Sequence, residues 1–270
     1  MLNNNSIQGA TNAKVSSEAL VKQFNELMYQ ANRTNDNTEL LVRANEIAEQ
    51  IINITLQTYE STCDVYKTVR GNKLKEIDEI CWAALNKYIA KYIPKSKKDI
   101  SILDAGTGNG RDMIYGQSLG YDVIGIDNCK GFIEMLSQHS KDGLIKEGSY
   151  KICDMRDLDF TDDSFDVVRH NASLLHLPLI GKNYTVDLAL SEAFRVLKSG
   201  GLLYVFVKTG ETLEIQDTKE NLGGRIFQFF SHKTLNEVIC RNGFTILYTA
   251  DEEEIRESGV INWIILIAQK

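Results

Sequence analysis

Hydrophobic residues in the first ninety positions recur at the three- and four-residue spacing of amphipathic helices. After an asparagine-rich start that we expect to fray, a helix capped by Ser16 or Ser17 is predicted from Leu20, Phe24, Leu27 and Met28. A second helix is predicted over about 37–59. A third covers 73–92 and is stopped by Pro94. Residues 1–94 therefore predict an N-terminal helical extension.

From residue 99 onward, short apolar runs alternate with helical ones, which is typical of βαβ units. The apolar runs predict seven strands, over 100–104, 122–127, 150–153, 165–170, 201–208, 244–250 and 262–269. The last two are separated only by "DEEEIRESGV", which is too short for a crossover helix, so they should pair antiparallel. The prediction for 95–270 is an α/β domain with a doubly wound, mostly parallel seven-stranded sheet and an antiparallel last strand.

Composition and charge narrow the function classes. The net charge of -7 argues against a DNA-binding surface, since that surface needs clustered lysine and arginine. Five scattered cysteines without a CxxC pair predict reduced thiols and no metal site. No signal peptide is expected, and the longest apolar run, "WIILIA", is too short to span a bilayer. A cytoplasmic protein with no membrane partner is expected.

The stretch "ILDAGTGNG", residues 102–110, places glycines at three alternate positions behind an apolar run and Asp104. In a doubly wound sheet such a turn lies beyond the carboxyl end of a strand, where ligands bind. Glycine allows sharp turns and close approach of a ligand to the backbone. The spacing differs from the GxGxxG of dinucleotide-binding proteins, which argues against an NAD-dependent oxidoreductase.

This loop resembles the first motif of class I S-adenosylmethionine-dependent methyltransferases, an acidic residue followed by GxGxG. Four further segments follow in the order of that family: "VIGID", "YKICDMRDLDF", "DDSFDVVRHNASLLHL" and "EAFRVLKSGGLLYVFV". The resemblance covers about 99–270. It implies S-adenosylmethionine as cofactor and S-adenosylhomocysteine as product.

The resemblance also implies roles for residues at the ends of the strands. Asp127 would accept hydrogen bonds from both ribose hydroxyls, Asp154 would bind the adenine amino group, and the backbone amide of Met155 would meet the ring. The remaining cofactor-binding residues predicted around these motifs are Asp104, Gly106, Thr107, Gly108, Asn128 and Asn171.

The methionyl end of the cofactor has its own candidates. The segment "YESTCDVYKTVRGN" is similar to a tyrosine-containing stretch that precedes the first motif in small-molecule methyltransferases, although the usual alanine between the tyrosines is missing. Tyr59, Tyr66 and Arg70 occupy the matching positions, and the alternative is that they are buried packing residues. Arg111 is predicted either to steer the cofactor's carboxylate or to cap a surface turn.

Methyl transfer from a sulfonium needs a general base only when the acceptor carries a proton. The candidate catalytic residues are His170, which ends the fourth predicted strand, and His176, which follows it. The alternative for each is a structural histidine hydrogen-bonded to the backbone. After the fifth strand, Lys208 and Arg225 are candidates to hold an anionic group of the acceptor.

The predicted function is methylation of an O or N atom of a small molecule or short peptide, with the helical extension as a lid. One alternative is a methyltransferase for the C-terminal carboxylate of a peptide in natural-product maturation. Such a carboxylate is ionised at neutral pH and needs no base. A second alternative is a non-catalytic nucleoside-binding module that assembles with a partner or as a homodimer through its amphipathic extension.

Overall fold

The computed structural model describes residues 4–71, 74–217, 224–256 and 259–270. Seven α-helices lie in these ranges: α1 (Asn4–Ala31), α2 (Thr38–Arg70), α3 (Glu76–Tyr92), α4 (Arg111–Ser118), α5 (Lys130–Lys141), α6 (Thr185–Val196) and α7 (His232–Arg241). The same ranges contain nine strands: β1 (Ser101–Ala105), β2 (Asp122–Asp127), β3 (Tyr150–Ile152), β4 (Phe165–Asn171), β5 (Leu197–Lys208), β6 (Leu213–Asp217), β7 (Gly224–Gln228), β8 (Thr245–Arg256) and β9 (Gly259–Gln269). None of these helices is long and apolar enough to cross a bilayer.

Seven strands form one sheet in the order β3-β2-β1-β4-β5-β9-β8. Strands β1 to β5 pair in parallel, whereas β9 is antiparallel to both β5 and β8. The predicted fold class is therefore confirmed. The strand order reverses at β1 and β4, so the crevice between their carboxyl ends is the place where such sheets bind ligands.

Two apolar clusters hold the layers together. The larger one contains the sheet and α3, whose Trp82 is fully buried. The smaller one joins α1 and α2 to the β6–β7 hairpin, through buried residues that include Phe24, Ile51, Leu213 and Ile226. The helix α3 thus packs on the sheet, while α1 and α2 form a separate layer. A domain division at residue 94 remains a prediction.

The second helix runs eleven residues further than its predicted end at Tyr59, because its last turns have an apolar partner that the local pattern does not reveal. Tyr59, Cys63 and Tyr66 pack against Cys129 and Phe132 at the start of α5. Polar residues lie between them and weaken the hydrophobic periodicity, so the sequence pattern ends before the helix does.

The segment after β5, where Arg225 is a candidate to hold the acceptor, contains the β6–β7 hairpin, which the sequence pattern did not predict. The two strands pair antiparallel from Leu213 with Gln228 to Asp217 with Gly224. The inward residues Leu213 and Ile226 are buried against α1 and α2. A two-stranded hairpin is marginal by itself, so packing against the helices stabilises it.

Strands β5, β8 and β9 are longer than predicted. β5 begins at Leu197 rather than 201, with a register shift opposite Phe165 and Val167. The predicted loop "DEEEIRESGV" is largely strand, since β8 continues to Arg256 and pairs there with Gly259 of β9. In this edge strand Asp251, Glu253 and Ile255 are exposed, whereas Glu254 is buried and pairs with Lys75 and Arg256. Solvent on one face and ion pairs on the other explain how so acidic a segment can be a strand.

A buried arginine connects the elements around the glycine loop. Arg169 in β4 donates to Asp104 at the end of β1 (3.1 Å) and to Asp112 in the first turn of α4 (3.0 Å). Its guanidinium lies 4.2 Å from the ring centroid of Trp82, whose indole N–H donates to Asp112 (2.8 Å). All four side chains are buried, so each charge depends on these partners for its solvation.

Replacing this arginine should destabilise the whole domain. Arg169→Met leaves two buried carboxylates without their shared cation, and breaking a buried ion pair typically costs about 3–5 kcal/mol. We expect a decrease of that size in the free energy of unfolding, measured by urea titration. The control is Arg43→Met, an exposed arginine on α2, which should change stability by less than about 0.5 kcal/mol. A loss below about 1 kcal/mol for Arg169→Met would contradict this role of the network.

Candidate active site

The glycine loop connects the end of β1 to α4. Gly106, Gly108 and Gly110 adopt φ values of +80°, +57° and +78°. A Cβ at Gly106 would lie 2.4 Å from Cβ of Ser173, and one at Gly110 would lie 2.2 Å from Cδ2 of Leu136. A Cβ at Gly108 would meet nothing within 4 Å. Two of these three glycines are therefore required by the protein's own packing, whereas Gly108 leaves space beside its backbone for a ligand.

Asp127 lies at the end of β2, across from this space. Its two carboxylate oxygens accept hydrogen bonds from the backbone amides of Gly108 and Cys129, both at 2.9 Å. Burial raises the pKa of Asp127 to about 6, although these amides act in the opposite direction. The carboxylate is thus ionised at neutral pH, fixed in orientation, and retains lone pairs for further donors.

The larger of two neighbouring cavities opens in front of this loop. It has an empty volume of about 1050 Å³ and opens to solvent. Its walls are the carboxyl ends of β1, β2 and β4, the turn after β3, and the side of α2. This is the crevice expected from the reversal of strand order.

The predicted adenine side of the cavity contains an ion-pair chain. Arg156 donates to Asp154 with its backbone amide (2.8 Å) and with Nη2 (2.8 Å), and its Nη1 donates to Glu49 of α2 (2.6 Å). Burial raises the pKa of Asp154, but Arg156 and a hydrogen bond from Asn128 outweigh it, so the pKa is lowered. Asp154 is therefore a stable anion, and Arg156 ties α2 to this side of the cavity.

The opposite end of the cavity contains Arg111, the first residue of α4. Its Nη2 donates to Asp78 of α3 (3.1 Å), and its Nε lies 3.9 Å from Asp112. Asp112 also accepts a hydrogen bond from Asn171 (3.1 Å). In the described structure, the Nη1 atom of Arg111 is buried and has no hydrogen-bond acceptor. An unpaired guanidinium N–H at a cavity wall is suited to an anionic ligand group.

A chain of hydrogen bonds connects α2 to the loop after β4. Nδ1 of His176 lies 3.2 Å from the carbonyl oxygen of Ile226, which can only accept, so Nδ1 carries the proton. Nε2 of His176 is then the acceptor for the hydroxyl of Tyr59, at 2.9 Å. Nη1 of Arg225 donates to the same hydroxyl at 3.5 Å. This arrangement fixes the tautomer of His176.

The protonation states of these groups follow from burial. Burial lowers the pKa of His176 to about 3 and raises the pKa of Tyr59 to about 12. Both groups are therefore neutral at physiological pH. Tyr59 also makes edge contacts with Tyr66 and with His176, at centroid distances of 6.1 Å and 5.2 Å.

A smaller cavity, with an empty volume of about 590 Å³, adjoins the larger one. Its aromatic lining residues are Tyr59, Tyr66, Phe206, Phe227 and Trp263, and its charged ones are Lys75, Asp78, Arg111, Lys208, Arg225, Glu254 and Arg256. Six residues line both cavities: Tyr59, Tyr66, Arg111, Asn171, Ala172 and His176. The two cavities therefore adjoin at these shared residues.

The structure brings most of the predicted site residues together. The larger cavity is lined by Tyr59, Tyr66, Asp104, Gly106, Thr107, Gly108, Arg111, Asp127, Asn128, Asp154, Met155, Asn171 and His176. The oxygens of Asp104 already accept from Thr107 and Arg169, so this residue supports the loop more than it presents a free acceptor. The side chain of Arg70 lies outside the described part of the structure.

His170 is the predicted residue that the geometry separates from the site. It is buried in β4 and lines neither cavity. Strand alternation places its side chain on the opposite face from Arg169 and Asn171, which face Asp112. Burial lowers its pKa to about 4. The prediction that His170 is catalytic thus finds no support in this geometry.

Several lining residues escaped the sequence analysis. Ile52, Thr55 and Leu56 come from the middle of α2, and Phe132 and Arg156 come from the segments after β2 and β3. The hydrophobic residues of α2 fit its helical stripe, so their sequence signal was that of a packing face. Arg156 follows Asp154 by two residues, and this acidic-basic spacing at a strand end was the available signal.

Comparison with known proteins identifies the domain. A family model described as a methyltransferase domain matches residues 103–205, from β1 through most of β5. A protein of Encephalitozoon cuniculi to which methyltransferase activity is ascribed is 25% identical over 189 residues, which cover 64% of this chain and 82% of that protein. A sterol 24-C-methyltransferase of Yarrowia lipolytica is 27% identical over 162 residues, but the match spans only 41% of that enzyme.

A crystal structure of an S-adenosylmethionine-dependent methyltransferase from Methanosarcina mazei shares the fold, with a TM-score of 0.56 and 24% sequence identity. The superposition covers 68% of this chain and 96% of the other. The matched region contains the glycine loop, Asp127, Asp154 and the β4–β5 core described above. Residues 103–205 of this chain therefore match a methyltransferase domain, and the chain has the fold of class I, S-adenosylmethionine-dependent methyltransferases.

Proposed function

We propose that this methyltransferase transfers the methyl group of S-adenosylmethionine, bound in the larger cavity, to an O or N atom of a small molecule or short peptide in the smaller cavity. The observation that carries the proposal is the set of six residues shared by the two cavities. A methyl donor and an acceptor on either side of these residues would be neighbours. Enforced proximity of this kind is the main contribution an enzyme makes to a displacement reaction.

Three features of the larger cavity fit the cofactor. The open space at Gly108 allows a ligand to contact the backbone, the oriented carboxylate of Asp127 suits a pair of ribose hydroxyls, and the buried Nη1 of Arg111 suits a carboxylate. When bound, S-adenosylmethionine supplies a methyl group already activated by its sulfonium. The protein then has to orient the acceptor and exclude water.

Within this proposal, His176 orients groups before it accepts a proton. An imidazole whose pKa is lowered to about 3 is a weak base, and its Nε2 already accepts the Tyr59 hydroxyl. An O–H or N–H acceptor becomes strongly acidic once it gains the methyl group, so a weak base suffices at that stage. We propose that Nε2 of His176 holds either Tyr59 or the acceptor and takes the proton late.

The extension acts in this proposal as a lid. α2 contributes Ile52, Thr55, Leu56 and Tyr59 to the cavity wall, and most of its surface there is apolar. Covering the reacting atoms with such a helix excludes water and strengthens the electrostatic contacts beneath it.

A carboxylate acceptor, such as a peptide C terminus, is the second candidate. The cations of the smaller cavity favour it, because Lys208 and Arg225 are both buried there. A carboxylate needs no base, so His176 would then serve only to position Tyr59. Its product, a methyl ester, would differ from an ether or amine product in being cleaved by mild alkali.

Replacing Asp127 should weaken cofactor binding. We expect Asp127→Ala to weaken S-adenosylhomocysteine binding by at least about tenfold, or about 1.4 kcal/mol, measured by calorimetric titration. Asp122→Ala is the matched control, since Asp122 lies at the other end of β2, is 43% exposed and pairs with Lys146. Equal affinities of the two variants would contradict the ribose role.

Cofactor affinity should also decrease at acid pH. The pKa of Asp127 is raised to about 6, so the carboxylate is ionised at pH 7.5 and largely protonated at pH 5. If the ionised form binds, the dissociation constant of S-adenosylhomocysteine should rise roughly tenfold between these two values. Asp104 has a pKa raised by burial into the same range, so Asp127→Asn separates the two groups. Persistence of the pH effect in Asp127→Asn would assign it elsewhere.

Arg111→Met should distinguish the carboxylate of the cofactor from its nucleoside. The comparison uses S-adenosylhomocysteine and 5′-methylthioadenosine, which lacks the amino acid group. We expect the substitution to weaken the first ligand by about tenfold and the second by less than about twofold, because a charge-assisted hydrogen bond is lost only with the first. Equal weakening of both ligands in calorimetry would mean that Arg111 acts by holding Asp78 and α3 in place.

A further inference from the structure

Three residues of the smaller cavity carry buried N–H donors that have no acceptor in the described structure. These atoms are Nε of Arg225, Nε of Arg256 and Nε1 of Trp263. A fourth donor of the same lining, Nη1 of Arg111, is assigned to the cofactor's carboxylate in the proposed function. A buried donor left unsatisfied costs about 1–3 kcal/mol, so a group of them indicates a ligand rich in acceptor oxygens.

Among these residues, Arg225 is the one whose surroundings best suit binding of an anion. Its side chain is 95% buried on β7, since only 5% of the residue is exposed. Its guanidinium lies 5.8 Å from the ring centroid of Tyr59 and 5.4 Å from that of Phe227. Among the described residues its hydrogen bond is the 3.5 Å contact with the Tyr59 hydroxyl. A buried arginine held by aromatic faces and a neutral hydroxyl retains its charge for a ligand.

The carboxylates of the same cavity are already engaged. Asp78 accepts from Arg111 (3.1 Å) and from the backbone amide of Lys75 (2.9 Å). Glu254 accepts from Lys75 (3.0 Å) and from Arg256 (2.6 Å). Neither carboxylate forms an ion pair with Arg225 in the described structure. The two carboxylates therefore neutralise charges other than that of Arg225.

The charge of the cavity is opposite to that of the whole chain. Its described lining has five cationic side chains and two carboxylates, whereas the full sequence has a net charge of -7. Lys208 adds to this excess at the end of β5, where it is buried and its Nζ lies 3.7 Å from the ring centroid of Phe227. A local positive excess in an acidic protein concentrates anions at that place.

The walls between the cations are aromatic. Phe206 and Trp263 stack with their ring centroids 4.4 Å apart, and Phe227 lies between the cations and His176, 5.0 Å from its ring. Flat apolar walls of this kind favour an aromatic or otherwise planar ligand body.

We propose that the acceptor of this methyltransferase is an oxyanion with an aromatic body, anchored by its carboxylate or phosphate between Arg225 and Lys208. The inference rests on the proposed function for the assignment of the smaller cavity to the acceptor. The anion serves as the anchor, which leaves the group that receives the methyl at the residues shared with the larger cavity. Bidentate contact with the guanidinium of Arg225 and charge contact with Lys208 give this anchor its specificity.

The test measures binding of three simple probes to the full chain saturated with S-adenosylhomocysteine. Benzoate, phenyl phosphate and the neutral benzyl alcohol are titrated by saturation-transfer NMR. We expect at least one of the two anions to bind about tenfold more tightly than benzyl alcohol. The ratio between the two anions distinguishes a carboxylate from a phosphate anchor.

Arg225→Met should reduce the preference for the anion to less than about twofold, while Arg43→Met, which removes the same charge from an exposed site, should leave it unchanged. If Arg225→Met is unfolded, Lys208→Met provides the same comparison from β5. The proposal is overturned if benzyl alcohol binds as well as the anions. It is equally overturned if the Arg43 variant loses as much affinity as the cavity variant.

The same samples separate this inference from the proposed function. S-adenosylhomocysteine affinity is measured first by calorimetry on each variant. Failure of the wild type to bind it would remove the cofactor assignment, whatever the anions do. Normal cofactor binding with no discrimination among the three probes would remove only the anionic anchor.

Discussion

The ion pairs of Arg169 with Asp104 and Asp112 are the interaction on which the rest of the site depends. They connect the residue before the glycine loop, the helix after it, and the neighbouring strand, so the loop is held at both ends. Asp112 also orients two residues of the cavity wall, since it accepts a hydrogen bond from Asn171 and lies beside Arg111. Burial opposes ionisation of Asp112, but the arginines outweigh it and lower its pKa. Three buried charges are expensive to desolvate, and we attribute their presence to the fixed geometry that they impose.

The helical layer depends on polar contacts of α2 as well as on its apolar residues. Glu60 of α2 accepts from the backbone amides of Lys130 and Gly131 at the first turn of α5, where the helix dipole favours a carboxylate. Glu49, near the middle of the helix, pairs with Arg156 beside the predicted adenine side. Opening α2 would therefore break two charged contacts and expose apolar surface together.

Local patterns predicted the parallel core because each signal is contained in a short segment: an apolar strand followed by glycine or aspartate. The same short segments carry the predicted cofactor residues, most of which line one cavity. The same reasoning failed where a partner is distant in sequence. The β6–β7 hairpin is stable through contacts with α1 and α2, which begin nearly 200 residues earlier. The hydrogen bond between Tyr59 and His176 spans 117 positions, and no spacing rule indicates it. For His170, periodicity could place the residue in a strand, but the side that it faces depends on which helices cover the sheet.

The match to a methyltransferase domain supports the proposed reaction type, whereas the chemistry of the smaller cavity bears on the proposed acceptor. The match to the sterol enzyme of Yarrowia lipolytica spans only 41% of that enzyme, and a sterol is a neutral, largely apolar molecule. Seating such a molecule here would leave the buried N–H groups of Arg225, Arg256 and Trp263 unsatisfied. Each unsatisfied donor costs about 1–3 kcal/mol, so three of them would offset much of the gain from apolar contact. If the smaller cavity holds the acceptor, as proposed, the same groups favour an acceptor that brings its own oxygens. In that case the β6–β7 hairpin, which carries Arg225, is the part of the fold that determines specificity.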